Sequence, residues 1–341
     1  MPDSALNGAE RALQQSFRKI FVFNGLLLGA FVILAYLPIR ALPDRKQRSE
    51  TIVALSYQPV GLPSAPGPLH VAGAWELSAS DSRFAGLSGL AIDHGRFLAV
   101  SDLGVVVRFD MPNKGMPKAV LQDLRIGPGT FGRKWRRDAE SLARDPRGRG
   151  WWVGYEQNHS LWLYDGSFHR ALAKVDLHGS NWSDNRGAEG LIVRNGRLLV
   201  LAENGRDAVR IDPGGPHLLR LYSDAEVADA TRAPDGSAWV LLRDQGLHGI
   251  SQSIAPLQAI HDGYLAGPAW SLPKAAFDNF EGMTIEVRPD GRWRFWLVTD
   301  DGHRVMARTL LVAFDLDLPV GHSKNPATGA GPSMKPRTGT P

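Results

Sequence analysis

The sequence predicts an all-β chain closed into a single six-bladed β-propeller, on three observations. One hairpin pattern recurs five times between Phe84 and Gly302. Its starts lie about 40–52 residues apart, the spacing of four-stranded blades. No long amphipathic helical pattern competes with it in the middle of the chain. From Thr51 to Leu316 there is room for about six such units, with five or seven as the neighbouring solutions.

The elements follow in chain order. Ile20 to Leu37, IFVFNGLLLGAFVILAYL, runs without a charge behind Arg18 and Lys19, which is just long enough for a membrane-spanning helix. AYLPIRALP offers no small-residue cleavage site, so the expectation is an uncleaved anchor rather than a removed signal. Residues 1–19 would then be cytoplasmic, residues 38–50 a charged linker, and residues 51–321 a propeller outside the cytoplasm, in the periplasm. The tail 322–341 is rich in Pro, Gly and Thr and is expected to be disordered.

The repeated unit is strand, tight turn, strand. It reads FAGLSGLAIDHGRFLAVSDLG from Phe84, RRDAESLARDPRGRGWWVGYEQN from Arg136 and NRGAEGLIVRNGRLLVLAENG from Asn185. It returns as EVADATRAPDGSAWVLLRDQG from Glu226 and DNFEGMTIEVRPDGRWRFWLVTDDG from Asp278. His94-Gly95, Asn195-Gly196, Asp235-Gly236 and Asp290-Gly291 supply the turns. VVVRFD, LWLYD and AVRID then read as third strands. A sixth blade is expected from TIVALSYQ and HVAGAWELS near the start with RTLLVAFDL at the end, closing the ring through both ends of the chain. Trp151, Trp152, Trp239 and Trp296 read as residues packed between blades.

Acids recur at fixed places in this unit. Glu140, Glu189 and Glu281 open the first strand, where the first unit has Ser88 and the fourth has Asp229, give or take one residue. Asp102, Glu156, Glu203 and Asp300 close the second, where the fourth unit has Arg243. In an antiparallel hairpin these two positions lie side by side, so a ring would gather all seven acids at one mouth of the channel. Converging like charges need a cation. Ca²⁺ suits an all-oxygen set with little nitrogen. Arginine is the other remedy: Arg137, Arg186 and Arg243 adjoin the motifs, with Arg133, Lys134 and Arg136 before the second unit. The same acids could serve purely as fastenings, accepting backbone N–H groups and pairing with arginine between blades. His159, His248 and His303 follow the acids and could bind phosphate or carry protons.

Composition narrows the function classes. There is no Cys, which excludes disulfides, thiolate nucleophiles and Cys-ligated zinc. The first fifty residues carry +3 and the tail from His322 another +3, so a formal charge of +4 leaves the middle at about −2 and no nucleic-acid footprint. No G-x-S-x-G elbow, Walker loop or HExxH is present.

GLSGLAID with FLAVSD, DAESLARD with WWVGYE, NRGAEGLIV with LLVLAEN and NFEGMTIE with FWLVTDD resemble the phytase-like propeller family, described as esterase-like activity of phytase. That resemblance implies an exported β-propeller related to calcium-dependent alkaline phytases, with mouth acids holding Ca²⁺ and basic residues receiving phosphate. Glu189 and Glu281 match the family's E-G-[LM] motif and Glu140 fits it with Ser141 in place of the glycine, while Ser88 and VADATRAP depart from it. The expected activity is Ca²⁺-assisted hydrolysis of a small phosphorylated or ester substrate by a monomer, with Arg137, Arg186 and Arg243 stabilising developing negative charge. A lactonase-like propeller using Asn185, Asn204 and Asn279 is an alternative. So is a membrane-tethered binding module without catalysis.

Overall fold

The computed structural model describes residues 46–129, 137–180, 182, 187–246, 249–273, 279–302 and 307–316. The apolar segment 20–37 and the tail lie outside these residues. Among the described residues no helix is long and apolar enough to cross a membrane.

Two strands, β1 (Thr51–Pro59) and β2 (Leu69–Ala79), come before the repeats. The first blade is β3 (Leu87–Asp93), β4 (Arg96–Ser101), β5 (Val105–Phe109) and β6 (Lys118–Asp123). The second is β7 (Ala139–Arg144), β8 (Gly150–Tyr155), β9 (Ser160–Asp165) and β10 (Ala171–Asp176). The third is β11 (Ala188–Arg194), β12 (Arg197–Ala202), β13 (Asp207–Asp212) and β14 (Gly215–Tyr222). The fourth is β15 (Glu226–Arg232), β16 (Ala238–Gly246), β17 (Gly249–Ile260) and β18 (Gly263–Ala266), with β19 (Trp270–Ser271) added to β17. The fifth combines β20 (Asn279–Val287), β21 (Trp293–Asp300) and β22 (Leu310–Leu316) with β2, in the order β20-β21-β22-β2.

The chain therefore forms five blades among the described residues, not six. The strands assigned to a sixth blade complete the fifth. Closure through both ends of the chain holds, because β2 pairs antiparallel with β22 from Leu69 opposite Leu316 to Glu76 opposite Leu310. The first half of β1 pairs with β6 and its second half with β2, so one strand sews the fifth blade to the first. Further round, β14 and β18 pair in parallel and join the outer edges of blades three and four.

Local chemistry sets the hairpins. His94-Gly95 and Asn195-Gly196 take positive φ at both residues, as a two-residue turn matching strand twist requires. The apolar strands then bury both faces. Five apolar clusters lie among the described residues, one at each junction between successive blades. The tryptophans serve these junctions. Trp151 packs between blades one and two and Trp152 between two and three. Trp239 packs between four and five, and Trp296 between five and one, stacked on Trp75 at 6.0 Å.

The innermost strands β3, β7, β11, β15 and β20 pack in sequence round the axis, with β20 returning to β3. A ring of five leaves little space at its centre. A Cβ on Gly190 would sit 3.0 Å from that of Ala230, and one on Gly282 would sit 3.1 Å from that of Leu90, so glycine lets neighbouring strands approach there. Asp229 fills part of that level, its carboxylate accepting the amides of Ala230 at 2.7 Å and Met283 at 2.6 Å. Burial pushes its carboxyl well above the usual range despite these bonds and one from the Leu90 amide.

Candidate metal centre at the acidic mouth

Each innermost strand carries a β-bulge at its start. The pairing skips one residue between Ser88 and Leu90, Ala139 and Ser141, Ala188 and Gly190, Val227 and Asp229, and Phe280 and Gly282. The skipped residues are Gly89, Glu140, Glu189, Ala228 and Glu281. A bulge bends the strand and re-aims the extra side chain, which is how three blades turn a glutamate into the mouth. The equivalents in blades one and four are Gly89 and Ala228, which corrects the assignment of Ser88 and narrows that of the fourth blade from Asp229, give or take one residue, to Ala228.

The partner position also acquires a fixed register. Glu156 donates its amide to Asp138 O and Glu203 donates its amide to Gly187 O, while Arg243 pairs with Glu226 and Asp300 with Asn279. In the first blade this register falls on Ser101, opposite Leu87. Asp102 stands one residue further on, buried beside Gly86, and is not in the acid groups described next.

Two groups of carboxylates converge closely. One oxygen from each of Asp138, Glu140 and Glu156 lies within 4.8 Å of the others, and the same holds for Glu156, Glu189 and Glu203. Glu156 belongs to both groups. Asp138 was not anticipated, although its place two residues before Glu140 on an alternating strand was a usable signal.

Glu189 is 5% exposed, and no hydrogen-bond donor reaches its carboxylate among the described residues. Burial, then Glu140, Glu156, Glu281 and Glu203, push its carboxyl well above the ordinary range. On the other side of the mouth a guanidinium sits among the acids. Arg243 donates to Glu203 at 2.5 Å and to Glu281, and its Nε lies 3.9 Å from Glu226. Burial opposes the Arg243 charge, but Glu281, Glu189, Glu203 and Glu226 outweigh it and hold the guanidinium cationic. Asn279 donates to the same Glu281 oxygen that Arg243 bonds. Burial pushes Glu281 up to about 8, with Arg243 pulling it back and Glu140, Asp300 and Glu203 adding to the rise. The mouth can thus do two things chemically: hold a hard cation among carboxylates, and keep a proton on a carboxyl near neutral pH.

Three of the remaining expected residues, Arg137, Asn204 and His159, are described. Arg137 is buried and donates to the carbonyls of Pro128 at 2.7 Å, Arg125 at 3.4 Å and Leu124, so it pins the loop before blade two. Asn204 caps a turn, accepting the amides of Arg206 and Asp207 and donating to the Asp207 carboxylate. His159 is buried against His178 and Trp182. Arg133, Lys134, Arg136, Asn185, Arg186, His248 and His303 lie outside the described residues.

Beside the cluster, a cavity of about 520 Å³ between blades three and four is lined by Arg206, Ser223, Glu226, Arg243 and neighbouring residues. At the opposite mouth a depression of about 600 Å³ is walled by Leu90, Leu142, Leu191, Ile285 and Trp151. No acid group converges there among the described residues.

The model of the phytase-like family, described as esterase-like activity of phytase, matches residues 82–303, well over half of the chain. No curated protein matches the chain. Among solved structures, virginiamycin B lyase from Staphylococcus aureus with quinupristin is 10% identical, with a TM-score of 0.42, covering 79% of this chain and 99% of that one. The PQQ-bound aldose sugar dehydrogenase from Streptomyces coelicolor is 11% identical, with a TM-score of 0.41, covering 80% and 99%. Hydrazine synthase from Kuenenia stuttgartiensis is 16% identical, with a TM-score of 0.37 and 63% of this chain covered. The match spans 56% of that hydrazine synthase chain and 53% of a dihydro-heme d1 dehydrogenase. These likenesses are too distant to bear on activity.

Proposed function

This chain belongs to the phytase-like family, described as esterase-like activity of phytase, and from that premise we propose a Ca²⁺-dependent hydrolase of phosphoric or carboxylic esters acting at the acidic mouth. One observation carries the reading. Glu189 is a buried carboxylate with no hydrogen-bond donor among the described residues, set among other acids. An uncompensated buried charge is costly, and a bound cation removes that cost.

The donor set fits Ca²⁺. Asp138, Glu140, Glu156, Glu189 and Glu203 offer only carboxylate oxygens, which suit a hard cation. Within each group the oxygens lie no more than 4.8 Å apart, within about twice a Ca–O bond of roughly 2.3–2.6 Å. A bound Ca²⁺ would supply Lewis-acid polarisation of the ester oxygen. The chain's own residues do the rest. Glu140, Glu156, Glu189 and Glu203 hold the ion from rigid strand ends, and Arg243 fixes Glu203 and Glu281 in place. The adjoining cavity gives a small substrate room, with Arg206 on its lining to meet an anionic group.

The test is turnover by the purified propeller of a panel of phosphomonoesters, carboxylic esters and lactones, with Ca²⁺ and with chelator. Hydrolysis that needs Ca²⁺ and falls at least tenfold in Glu189→Gln supports the reading. A complete absence of metal-dependent turnover leaves a binding module in its place.

The location proposal rests on the apolar run 20–37: an anchor that tethers the propeller on the periplasmic face. Deleting residues 1–45 should release soluble protein with an unchanged β-type circular dichroism spectrum. Loss of folding on that deletion would contradict it.

A further inference from the structure

Among the described residues Arg243 is a cation set within the ring of acids, and we infer that it permanently fills a third cation position, confining bound Ca²⁺ to the side of blades two and three. The inference rests on the metal reading above and adds to it where ions cannot go, and why.

Blade four differs from its neighbours at both acid levels. Its bulge residue is Ala228, where blades two, three and five have glutamate. At the end of its second strand it has Arg243, where blades two, three and five have Glu156, Glu203 and Asp300. Losing the bulge acid leaves a gap, and the long side chain two registers away reaches into it. Its two terminal nitrogens meet carboxylates of both neighbouring blades, Glu203 of the third and Glu281 of the fifth, and its Nε faces Glu226 of its own blade. Three carboxylates thus surround one guanidinium, the arrangement a metal ion would otherwise command.

The acids form a chain across the mouth. Asp138 and Glu140 join Glu156, Glu156 joins Glu189 and Glu203, Glu203 joins Arg243, and Arg243 joins Glu281. The guanidinium occupies the last link, while at Glu189 no hydrogen-bond donor reaches the buried carboxylate among the described residues. Arg243 is itself 6% exposed, so its charge repels a second cation through little solvent screening. Unlike a metal, it cannot be chelated away, and it keeps the walls of blades three and five together in metal-free protein.

Calorimetric titration with Ca²⁺, alongside thermal melts in Ca²⁺ and in chelator, tests this on wild type, Arg243→Gln and Arg243→Lys. The expected result is one further Ca²⁺ bound per chain in Arg243→Gln, with wild-type stoichiometry kept in Arg243→Lys. In chelator, Arg243→Gln should melt well below wild type, and Ca²⁺ should raise its Tm by more than it raises that of wild type. If Arg243→Gln is unfolded in chelator, recovery of the folded spectrum on adding Ca²⁺ is the same result in another form. Failure to recover in Ca²⁺, or an unchanged stoichiometry in a folded Arg243→Gln, overturns the inference while leaving the metal reading intact. Folded wild type that binds no Ca²⁺ overturns both.

Discussion

The Asp229 carboxylate of the fourth blade accepts the main-chain amide of Met283 in the fifth at 2.6 Å. The same group accepts amides from Ala230 and from Leu90 of the first blade, so one side chain ties three blades at the axis. An Asp229→Asn change turns an amide donor toward those N–H groups. It should cost about 1–3 kcal/mol in urea unfolding, the price of unsatisfied buried polar groups. The Ca²⁺ response should survive, because Asp229 is not among the acids grouped at the mouth. A variant as stable as wild type would show that the three amides do not depend on this acceptor.

Closure of the ring depends on β22. Leu310, Val312 and Phe314 enter the core between blades four and five, while Leu311 and Ala313 enter the core between five and one. Phe314→Ala should cost about 3–5 kcal/mol. Removing Thr309–Leu316 leaves β21 and β2 as open edges and should abolish cooperative unfolding. A truncated chain that still melts cooperatively near the wild-type Tm would contradict velcro-like closure.

The pH dependence of metal-free stability follows from Glu189 and Glu281. Both carboxyls are raised above the ordinary 4.5, Glu281 to about 8. An acid raised by folding keeps its proton in the folded chain after the unfolded chain has lost it. Its contribution is therefore complete below about pH 4.5 and is lost as the pH rises toward 8. Acids held low by arginine or backbone donors, such as Asp145 at about 2, act below this window and with the opposite sign. The Tm in chelator should fall between about pH 5 and 8, and saturating Ca²⁺ should flatten the fall, since the ion takes the place of the protons. A flat or rising Tm in chelator would contradict the raised values.

The hairpins were legible in the sequence because each ends in its own local signal, a turn glycine between two apolar runs. The convergence of Glu140, Glu156, Glu189 and Glu203 followed from antiparallel geometry within each hairpin together with the ring that gathers the hairpin ends. The blade count did not follow. Strands from the two ends of a repeat array read the same whether they build a further blade or complete an existing one, and only the β2–β22 pairing decides. The bulges were equally hidden, since a one-residue slip leaves the apolar pattern intact while moving the equivalent position from Ser88 to Gly89 and from Asp229 to Ala228. Arginine reach was the third silent quantity. Arg137 and Arg243 both adjoin the motif, yet one turns to loop carbonyls and the other to two carboxylates.

The central claim is that Glu189 and its neighbours share a cation, and thermal melts of wild type and Glu189→Gln, each in Ca²⁺ and in chelator, test it most directly. A ligand that binds only the folded chain stabilises it by about 2.7 kcal/mol at roughly a hundred times its Kd, several degrees for a domain of this size. Wild type should show that gain. Glu189→Gln keeps the shape and removes one repulsive charge, so it should melt at or above wild type in chelator and gain little from Ca²⁺. If Glu189 is instead a fastening between blades, Glu189→Gln will melt below wild type in chelator and Ca²⁺ will move neither protein, and the metal centre falls.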